Sequence, residues 1–264
     1  FEGIKSSKII EDLKKDALLK TRSSFNEVLL DKDKKKIKNY LKNKGYYFSL
    51  IEISKEELGD NKINLFYNIT LGEKAKIKKI SFIGDKIFKD KKLKGIILSE
   101  EYKPWKFLSG KKYLNESMIE YDEKLLKNFY LNKGYYNVEI NSSFAKMTND
   151  QSFELIFNIS SNSKIFFGDL KIDLPADFSK SNYEEVEKFF KKLEDKPYSL
   201  NRIEDIVQKI EIITINEQYE SIKASVKENI VSNKININFK IEETEKFFIE
   251  RINIFGNNVT RESV

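Results

Sequence analysis

The stretch Asn115–Ala145, NESMIEYDEKLLKNFYLNKGYYNVEINSSFA, predicts a helix that runs through a tight turn into a strand. Apolar residues recur at helical spacing before the glycine and alternate with polar residues after it. The same order occurs earlier in the chain, at residues 31–54, as DKDKKKIKNYLKNKGYYFSLIEIS. The two stretches share the sequence KGYY, and the chain is therefore predicted to be an array of repeats.

Each copy continues into a further alternating run, which fixes the repeat length. Asn68 in NLFYNIT corresponds to Asn158 in ELIFNIS, and more loosely to Lys240 in INFKIEE, so the spacings are 90 (158 − 68) and 82 (240 − 158) residues. Solenoid repeats are about 20–50 residues long. Each copy is therefore predicted to be a small domain with its own core.

The central copy predicts the order β-α-α-β-β and an α+β fold class. Its predicted elements are a strand at 75–84, a short helix at 89–98, a structured loop at 99–114, a helix from Asn115 to about Gly134, and two final strands. The apolar stripe of the longer helix is predicted to consist of Met118, Tyr121, Leu125, Phe129 and Tyr130. The glycine of AKIKKISFIG, Gly84, is predicted to supply the turn that ends the first strand.

The repeats predict four segments. They are residues 1–74, whose opening strand is truncated, then 75–163, 164–246, and the first strand of a further domain at 247–264. The third copy departs from the pattern, since Gln218 and Tyr219 stand where the others have Gly-Tyr-Tyr.

Composition argues against an enzyme. The 264 residues include no histidine and no cysteine, so imidazole or thiolate nucleophiles and metal ligands are excluded. Carboxylates alternate with lysines along helical faces, as solvated surfaces do, and the ten glycines form no phosphate-binding motif. We therefore predict no catalytic residues, no metal site and no cofactor.

The charge of the chain does not indicate a nucleic-acid partner. The net charge is +6, but only Arg22, Arg202, Arg251 and Arg261 of the 48 basic residues are arginine. Nucleic-acid surfaces favour arginine forks and exposed aromatic side chains. KH modules also contain a β-α-α-β order, but their GxxG clamp is missing here. No apolar run approaches the roughly 20 residues that span a bilayer, so the segment is expected to be soluble.

Three features together resemble a known family. They are the opening-strand pattern I..I.F.G, the KGYY turn, and a loop that contains Pro104 and Trp105. Over essentially its whole length the chain resembles the polypeptide-transport-associated (POTRA) arrays of the BamA family of outer-membrane protein assembly factors. The resemblance implies tandem domains, each a three-stranded mixed sheet covered on one face by two helices. The PW loop matches the third domain of that family, so the chain would span domains two to four and the start of five.

The resemblance also implies a function. Such domains lie in the periplasm and are attached to the outer membrane through a C-terminal β-barrel of the same chain, outside this segment. Their expected partners are unfolded outer-membrane proteins and accessory lipoproteins, bound by addition of a strand to a sheet edge. Two alternatives remain open: a spacer scaffold that binds no substrate, and the POTRA modules of other transporters, such as two-partner secretion transporters, or of division proteins.

The strand after the helices lies at a sheet edge in POTRA domains, and this implies the candidate site. In the central copy the predicted docking strand consists of Tyr135, Tyr136, Asn137, Val138, Glu139, Ile140, Asn141 and Phe144. The secondary edge candidates are Tyr46, Tyr47, Ser49, Ile51, Ile53, Tyr219, Ser221, Ile222 and Ala224. The alternative is that the apolar members of these sets are only core residues.

The loop that contains Pro104 and Trp105 carries a separate prediction. We expect these residues to anchor the loop, with the indole packed beneath Leu108 and Leu114. The alternative is an exposed aromatic side chain that contacts a partner.

Overall fold

A computed structural model describes residues 1–105, 109–146, 152–216 and 222–243 of the chain. Their internal contacts separate two compact units. Unit 1 comprises Phe1–Leu131 and Asn137–Asn162, and unit 2 comprises Asn132–Tyr136 and Ser163–Val264. No helix among the described residues is both long enough and apolar enough to cross a membrane.

Unit 1 begins with two helices and a β-hairpin. These elements are α1 (Ser7–Asp16), α2 (Glu27–Asn43), β1 (Leu50–Gly59) and β2 (Lys62–Thr70). The two strands are antiparallel, and Glu2 adds an isolated parallel bridge to Asn68 on the other side of β2. The first core contains Leu13 from α1, Ile37 and Leu41 from α2, and Ile69 from β2.

The second module of unit 1 contains a complete three-stranded sheet. Its elements are β3 (Lys76–Asp85), α3 (Asp90–Lys94), α4 (Glu116–Leu131), β4 (Glu139–Lys146) and β5 (Ser152–Ser160). The strand order is β3-β5-β4, with β3 parallel and β4 antiparallel to β5. Phe82 and Phe157 stack within this core with ring centroids 5.5 Å apart.

Unit 2 repeats this arrangement. It contains β6 (Phe166–Asp173), a 3₁₀ turn (Lys180–Tyr183), α5 (Glu184–Leu193), α6 (Leu200–Asn216), β7 (Ile222–Val231) and β8 (Lys234–Glu243). The order β6-β8-β7 again combines a parallel and an antiparallel pair. Phe190 of α5 stacks on Phe239 of β8 at 5.4 Å. The predicted α+β class and the β-α-α-β-β order are therefore confirmed.

A buried aspartate on the second helix holds the connection that follows the first helix. Asp122 of α4 is fully buried, and its carboxylate accepts hydrogen bonds from the backbone N–H groups of Leu98 (2.6 Å) and Ser99 (3.1 Å). Asp33 of α2 accepts in the same way from Leu18 (2.7 Å) and Leu19 (3.0 Å). Each carboxylate satisfies two backbone donors that would otherwise be unpaired inside the protein.

The KGYY sequence of the first module connects it to the second module. Gly45 has a φ of +91°, which favours glycine, and its carbonyl accepts a 2.9 Å hydrogen bond from the N–H of Ala75. One residue before KGYY, the carbonyl of Asn43 accepts from the side-chain amide of Asn115 at 2.6 Å. We call these contacts the inter-module joint. Lys42 adds a 3.0 Å ion pair with Glu116.

The glycine contact recurs within unit 2, where a different set of asparagine contacts accompanies it. Gly134 has a φ of +93°, and its carbonyl accepts from the N–H of Ile165 at 2.8 Å. The side-chain oxygen of Asn132 accepts from the Ser199 hydroxyl at 2.9 Å and from the N–H of Asn201 at 2.8 Å. KGYY is therefore more than the turn that the sequence predicted, since its glycine carbonyl also binds the following repeat.

Candidate edge-strand docking site

β4, the second of the three strands of the central module, lies at one edge of its sheet. One side of β4 pairs with β5, with Ser142 opposite Phe157, and no other described strand pairs with its second side. An edge of this kind leaves backbone groups available to a further strand.

One hydrogen bond shows which backbone groups of β4 point outward. The N–H of Ser142 donates to the carboxylate of Glu123 on α4 at 2.5 Å, so it points away from β5. Backbone groups alternate between the two sides of an antiparallel strand. The N–H and C=O groups of Ile140 and Phe144 therefore point the same way as those of Ser142. We call the outward groups of these three residues the β4 edge.

Side chains on β4 alternate between the two faces of the sheet. Ile140 and Phe144 are half-buried on the face covered by the helices, opposite the buried residues Ile159 and Leu155 of β5. The intervening side chains are exposed to solvent: Glu139, Asn141, Ser143 and Ala145. Ile140 and Phe144 thus lie on the core face, as the alternative interpretation held, whereas the outward backbone groups of the β4 edge take no part in the ladder with β5.

The predicted docking strand began too early. Glu139, Ile140, Asn141 and Phe144 lie in β4, whereas the four residues from Tyr135 to Val138 precede it. The physical reason is the left-handed Gly134, after which both tyrosines enter contacts of unit 2. The Lys164 ammonium lies 5.4 Å from the Tyr135 ring centroid.

Tyr136 is held by two contacts within unit 2. Its ring packs edge-on against Tyr198, with centroids 4.9 Å apart, and its hydroxyl donates to the carboxylate of Glu228. That hydrogen bond, together with burial, raises the pKa of Tyr136 to about 12. Val138 is buried, and the carbonyl of Asn137 accepts from the amide of Asn162 at 2.7 Å.

The opposite edge of the central sheet, along β3, is covered by the loop before α4. The N–H of Tyr102 donates to the carbonyl of Ile77 at 2.6 Å, and the N–H of Ile77 donates to the carbonyl of Lys112 at 2.9 Å. Further along β3, the carboxylate of Glu101 accepts from the N–H of Ile80 at 3.0 Å. Among the described residues, no strand or loop backbone pairs with the outward side of β4, where the Glu123 side chain binds the N–H of Ser142.

Each of the two mixed sheets has two helices after its first strand. This arrangement is that of a known family. A family model for POTRA, described as the surface antigen variable number repeat, matches residues 2–72 and 75–162. This chain belongs to the POTRA family.

Curated relatives extend the POTRA likeness over nearly the whole chain. The outer membrane protein assembly factor BamA of Buchnera aphidicola is 25% identical over 98% of this chain and 42% of its own length. BamA of Neisseria meningitidis serogroup B is 23% identical over 96% of this chain and 33% of its own length. The chain therefore spans less than half of the curated relatives that it matches.

A solved structure gives the same POTRA fold. The crystal structure of Haemophilus influenzae BamA POTRA3-5 aligns with a TM-score of 0.51 and 16% identity, over 92% of this chain and 94% of that one. At this identity the likeness shows the fold alone.

The first of the secondary edges in this POTRA chain, β1, begins later than predicted, as β4 does. Ile51 and Ile53 lie in β1, but Tyr46, Tyr47 and Ser49 precede it. Tyr46 lies beneath the Lys74 ammonium (5.1 Å) and Tyr47 packs edge-on against Phe144 (5.4 Å). In β7, Ile222 and Ala224 are strand residues, while Tyr219 and Ser221 lie outside the described residues.

The loop anchor predicted for this POTRA chain is wrong. Trp105 is 72% exposed, with the Lys103 ammonium 5.8 Å from its ring centroid, and Pro104 is exposed as well. Leu114 is buried without the indole, and Leu108 lies outside the described residues. The loop is held instead by its backbone bonds to β3 and by the buried Asp122.

Sequence reasoning also missed the pair that defines the β4 edge, Ser142 and Glu123. No motif marks either residue. A glutamate on a helix predicts only a solvated face, and its contact with the strand appears only in three dimensions.

Proposed function

We propose that this chain captures extended segments of unfolded outer-membrane proteins by strand addition at the β4 edge. The observation that carries the proposal is the row of outward backbone groups on Ile140, Ser142 and Phe144, with the other edge of the sheet covered. Backbone pairing tolerates many sequences, which suits a protein that handles many substrates.

The strength of such binding fits a transient role. Each backbone hydrogen bond contributes about 0.5–1.5 kcal/mol, so five of them contribute a few kcal/mol. Association itself costs about 4 kcal/mol or more in lost freedom of motion. Capture at one edge is therefore weak and reversible, so a bound segment can leave and fold.

The names of the relatives support the wider setting. Relatives called outer membrane protein assembly factor match nearly all of this chain. We infer a periplasmic location, attachment to the outer membrane through the rest of the protein, accessory lipoproteins as further partners, and delivery of substrate to a downstream β-barrel. The competing hypothesis is a spacer scaffold whose edges bind nothing.

The test is a backbone-amide NMR titration of the full 264-residue chain with a peptide from the terminal amphipathic strand of an outer-membrane barrel protein. We expect shifts that cluster on Ile140–Phe144. A spectrum that stays unchanged at millimolar peptide would favour the spacer scaffold.

A proline variant makes the test specific. Ser142→Pro removes one outward N–H and leaves the ladder to β5 intact, because that N–H does not pair with β5. We expect peptide binding at β4 to weaken about tenfold or more, from the lost bond and the steric bulk of the ring. Ser142→Ala, which keeps the N–H, is the matched control and should bind as the unmodified chain does. Equal binding by a folded Ser142→Pro chain would contradict strand addition at this edge.

A further inference from the structure

We propose that Glu123 regulates the β4 edge and selects the strands that bind there; this inference rests on the proposed function. Its carboxylate occupies the Ser142 N–H, which an incoming strand needs. Once displaced, the carboxylate favours a strand that carries a lysine or arginine on the side facing the helices.

The first observation is the position of the bond. Ser142 lies between Ile140 and Phe144, at the middle of the β4 edge, and its N–H is bound by Glu123 at 2.5 Å. Hydrogen bonds to an ionised acceptor are about twice as strong as neutral ones. An added strand offers a neutral carbonyl in exchange for a carboxylate, so this central contact opposes binding.

The second observation concerns the charge of Glu123. The side chain is half-buried, and among the described residues no lysine or arginine forms an ion pair with it. A displaced carboxylate therefore remains an unpaired negative charge beside the docked strand. A cation on that strand would supply the missing partner.

The geometry of strand addition specifies where the cation must be. Residues directly opposite each other in a ladder place their side chains on the same face of the sheet. Ser142 is opposite the buried Phe157, so its side chain is on the face covered by the helices, where α4 carries Glu123. The residue of the added strand that pairs with Ser142 points to this same face.

The other two modules lack this carboxylate. Asp33 and Asp122 make equivalent loop contacts, so the residue that follows, Lys34, corresponds to Glu123. In unit 2 the N–H of Tyr198 donates to the carbonyl of Ile165, as the N–H of Leu114 donates to the carbonyl of Ala75 in unit 1. Val207 follows Tyr198 by the same number of residues (207 − 198 = 9) as Glu123 follows Leu114 (123 − 114 = 9), so Val207 corresponds to Glu123. Neither lysine nor valine has a side chain that can accept an N–H. The β1 and β7 edges therefore serve as internal controls in one molecule.

The experiment compares the unmodified chain with Glu123→Gln and Glu123→Ala, each at full length, by backbone-amide NMR titration. The probes are three peptides with one amphipathic sequence, which carry lysine, glutamine or glutamate at the positions that face the helices. Glu120→Ala, an exposed change on the same helix, is the matched control.

In the unmodified chain we expect the lysine peptide to bind β4 about tenfold more tightly than the glutamate peptide. Glu123→Ala should remove this preference and tighten binding of the glutamine peptide about tenfold, with Glu123→Gln intermediate. Affinities at the β1 and β7 edges should stay unchanged.

The outcomes separate the two proposals. If all three peptides bind β4 equally well with and without the Glu123 carboxylate, the regulation by Glu123 is overturned. Edge capture then still stands. A lack of response at every edge in every variant overturns edge capture, and the regulation with it.

Discussion

At the scale of single residues, each module in unit 1 contains one buried aspartate that accepts hydrogen bonds from the loop after the first helix. Asp33 accepts hydrogen bonds from Leu18, Leu19 and the hydroxyl of Tyr67, the last at 3.4 Å. Asp33→Ala leaves all three donors without this acceptor, at a cost of about 2–4 kcal/mol in the free energy of unfolding of its module. Urea denaturation followed by circular dichroism measures that cost.

The control for Asp33→Ala lies on the same helix. Asp31 is exposed, so Asp31→Ala removes the same charge without a buried contact and should change the free energy of unfolding by less than about 0.5 kcal/mol. Equal effects of the two substitutions would show that charge, rather than the anchored loop, explains the loss.

These aspartates also explain why the helical stripe was predicted on the wrong face. The sequence favoured Met118, Tyr121, Leu125, Phe129 and Tyr130, whereas α4 buries Ile119, Asp122, Leu126 and Tyr130, and Tyr121 is 50% exposed. A hydrophobic pattern assigns charged residues to the solvent-exposed face of a helix. The face that contains Asp122 was therefore not predicted to be the buried one. Only the loop N–H groups reveal why a carboxylate is stable there.

At the scale of elements, the glycine of β3, Gly84, has a different structural role from the predicted one. Gly84 lies inside the ladder opposite Ile159, so the strand continues through it to Asp85. Its φ is +85°, and an added Cβ would lie 2.4 Å from the carbonyl oxygen of Ile159. The motif predicted a turn, but close approach of two strands requires the glycine.

Gly84→Ala is therefore expected to destabilise the central module strongly. Gly59 has a φ of +83° with nothing within 4 Å of an added Cβ, so Gly59→Ala carries the backbone strain without the clash. We expect Gly84→Ala to cost about 2 kcal/mol or more beyond Gly59→Ala, as measured by thermal denaturation of both variants. Similar losses in the two variants would mean that backbone conformation alone selects glycine at Gly84.

The order of the elements could be predicted from the sequence, because alternation and helical spacing differ in period. The start of the edge strand could not be predicted so well. Tyr136 continues the apolar alternation of Val138 and Ile140, but its contacts and those of Tyr135 belong to unit 2, which a local pattern cannot reveal.

At the scale of the whole molecule, the repeat predicted the modules but not what joins them. In both copies of KGYY, the glycine carbonyl accepts a hydrogen bond from the residue just before the first strand of the next repeat, at Ala75 in unit 1 and at Ile165 in unit 2. Periodicity identifies similar segments, and bonds between successive segments leave no periodic signal of their own. The KGYY sequence therefore marks both the turn after a helix and the joint to the next repeat.

Gly45→Ala should loosen the joint within unit 1 without unfolding either module. An added Cβ would lie 3.1 Å from the Cβ of Tyr113 on a backbone with φ +91°, so the carbonyl of Gly45 would shift away from the N–H of Ala75. We expect the amide hydrogen of Ala75 to exchange about tenfold faster with deuterium, while amides of the two module cores keep their protection. Gly72→Ala, with φ +69° and open space around it, is the control and should leave Ala75 unchanged. Uniformly faster exchange across both modules would instead show that Gly45 supports the cores themselves. The two repeats of unit 1 would then fold as one cooperative unit rather than as two modules connected by the inter-module joint.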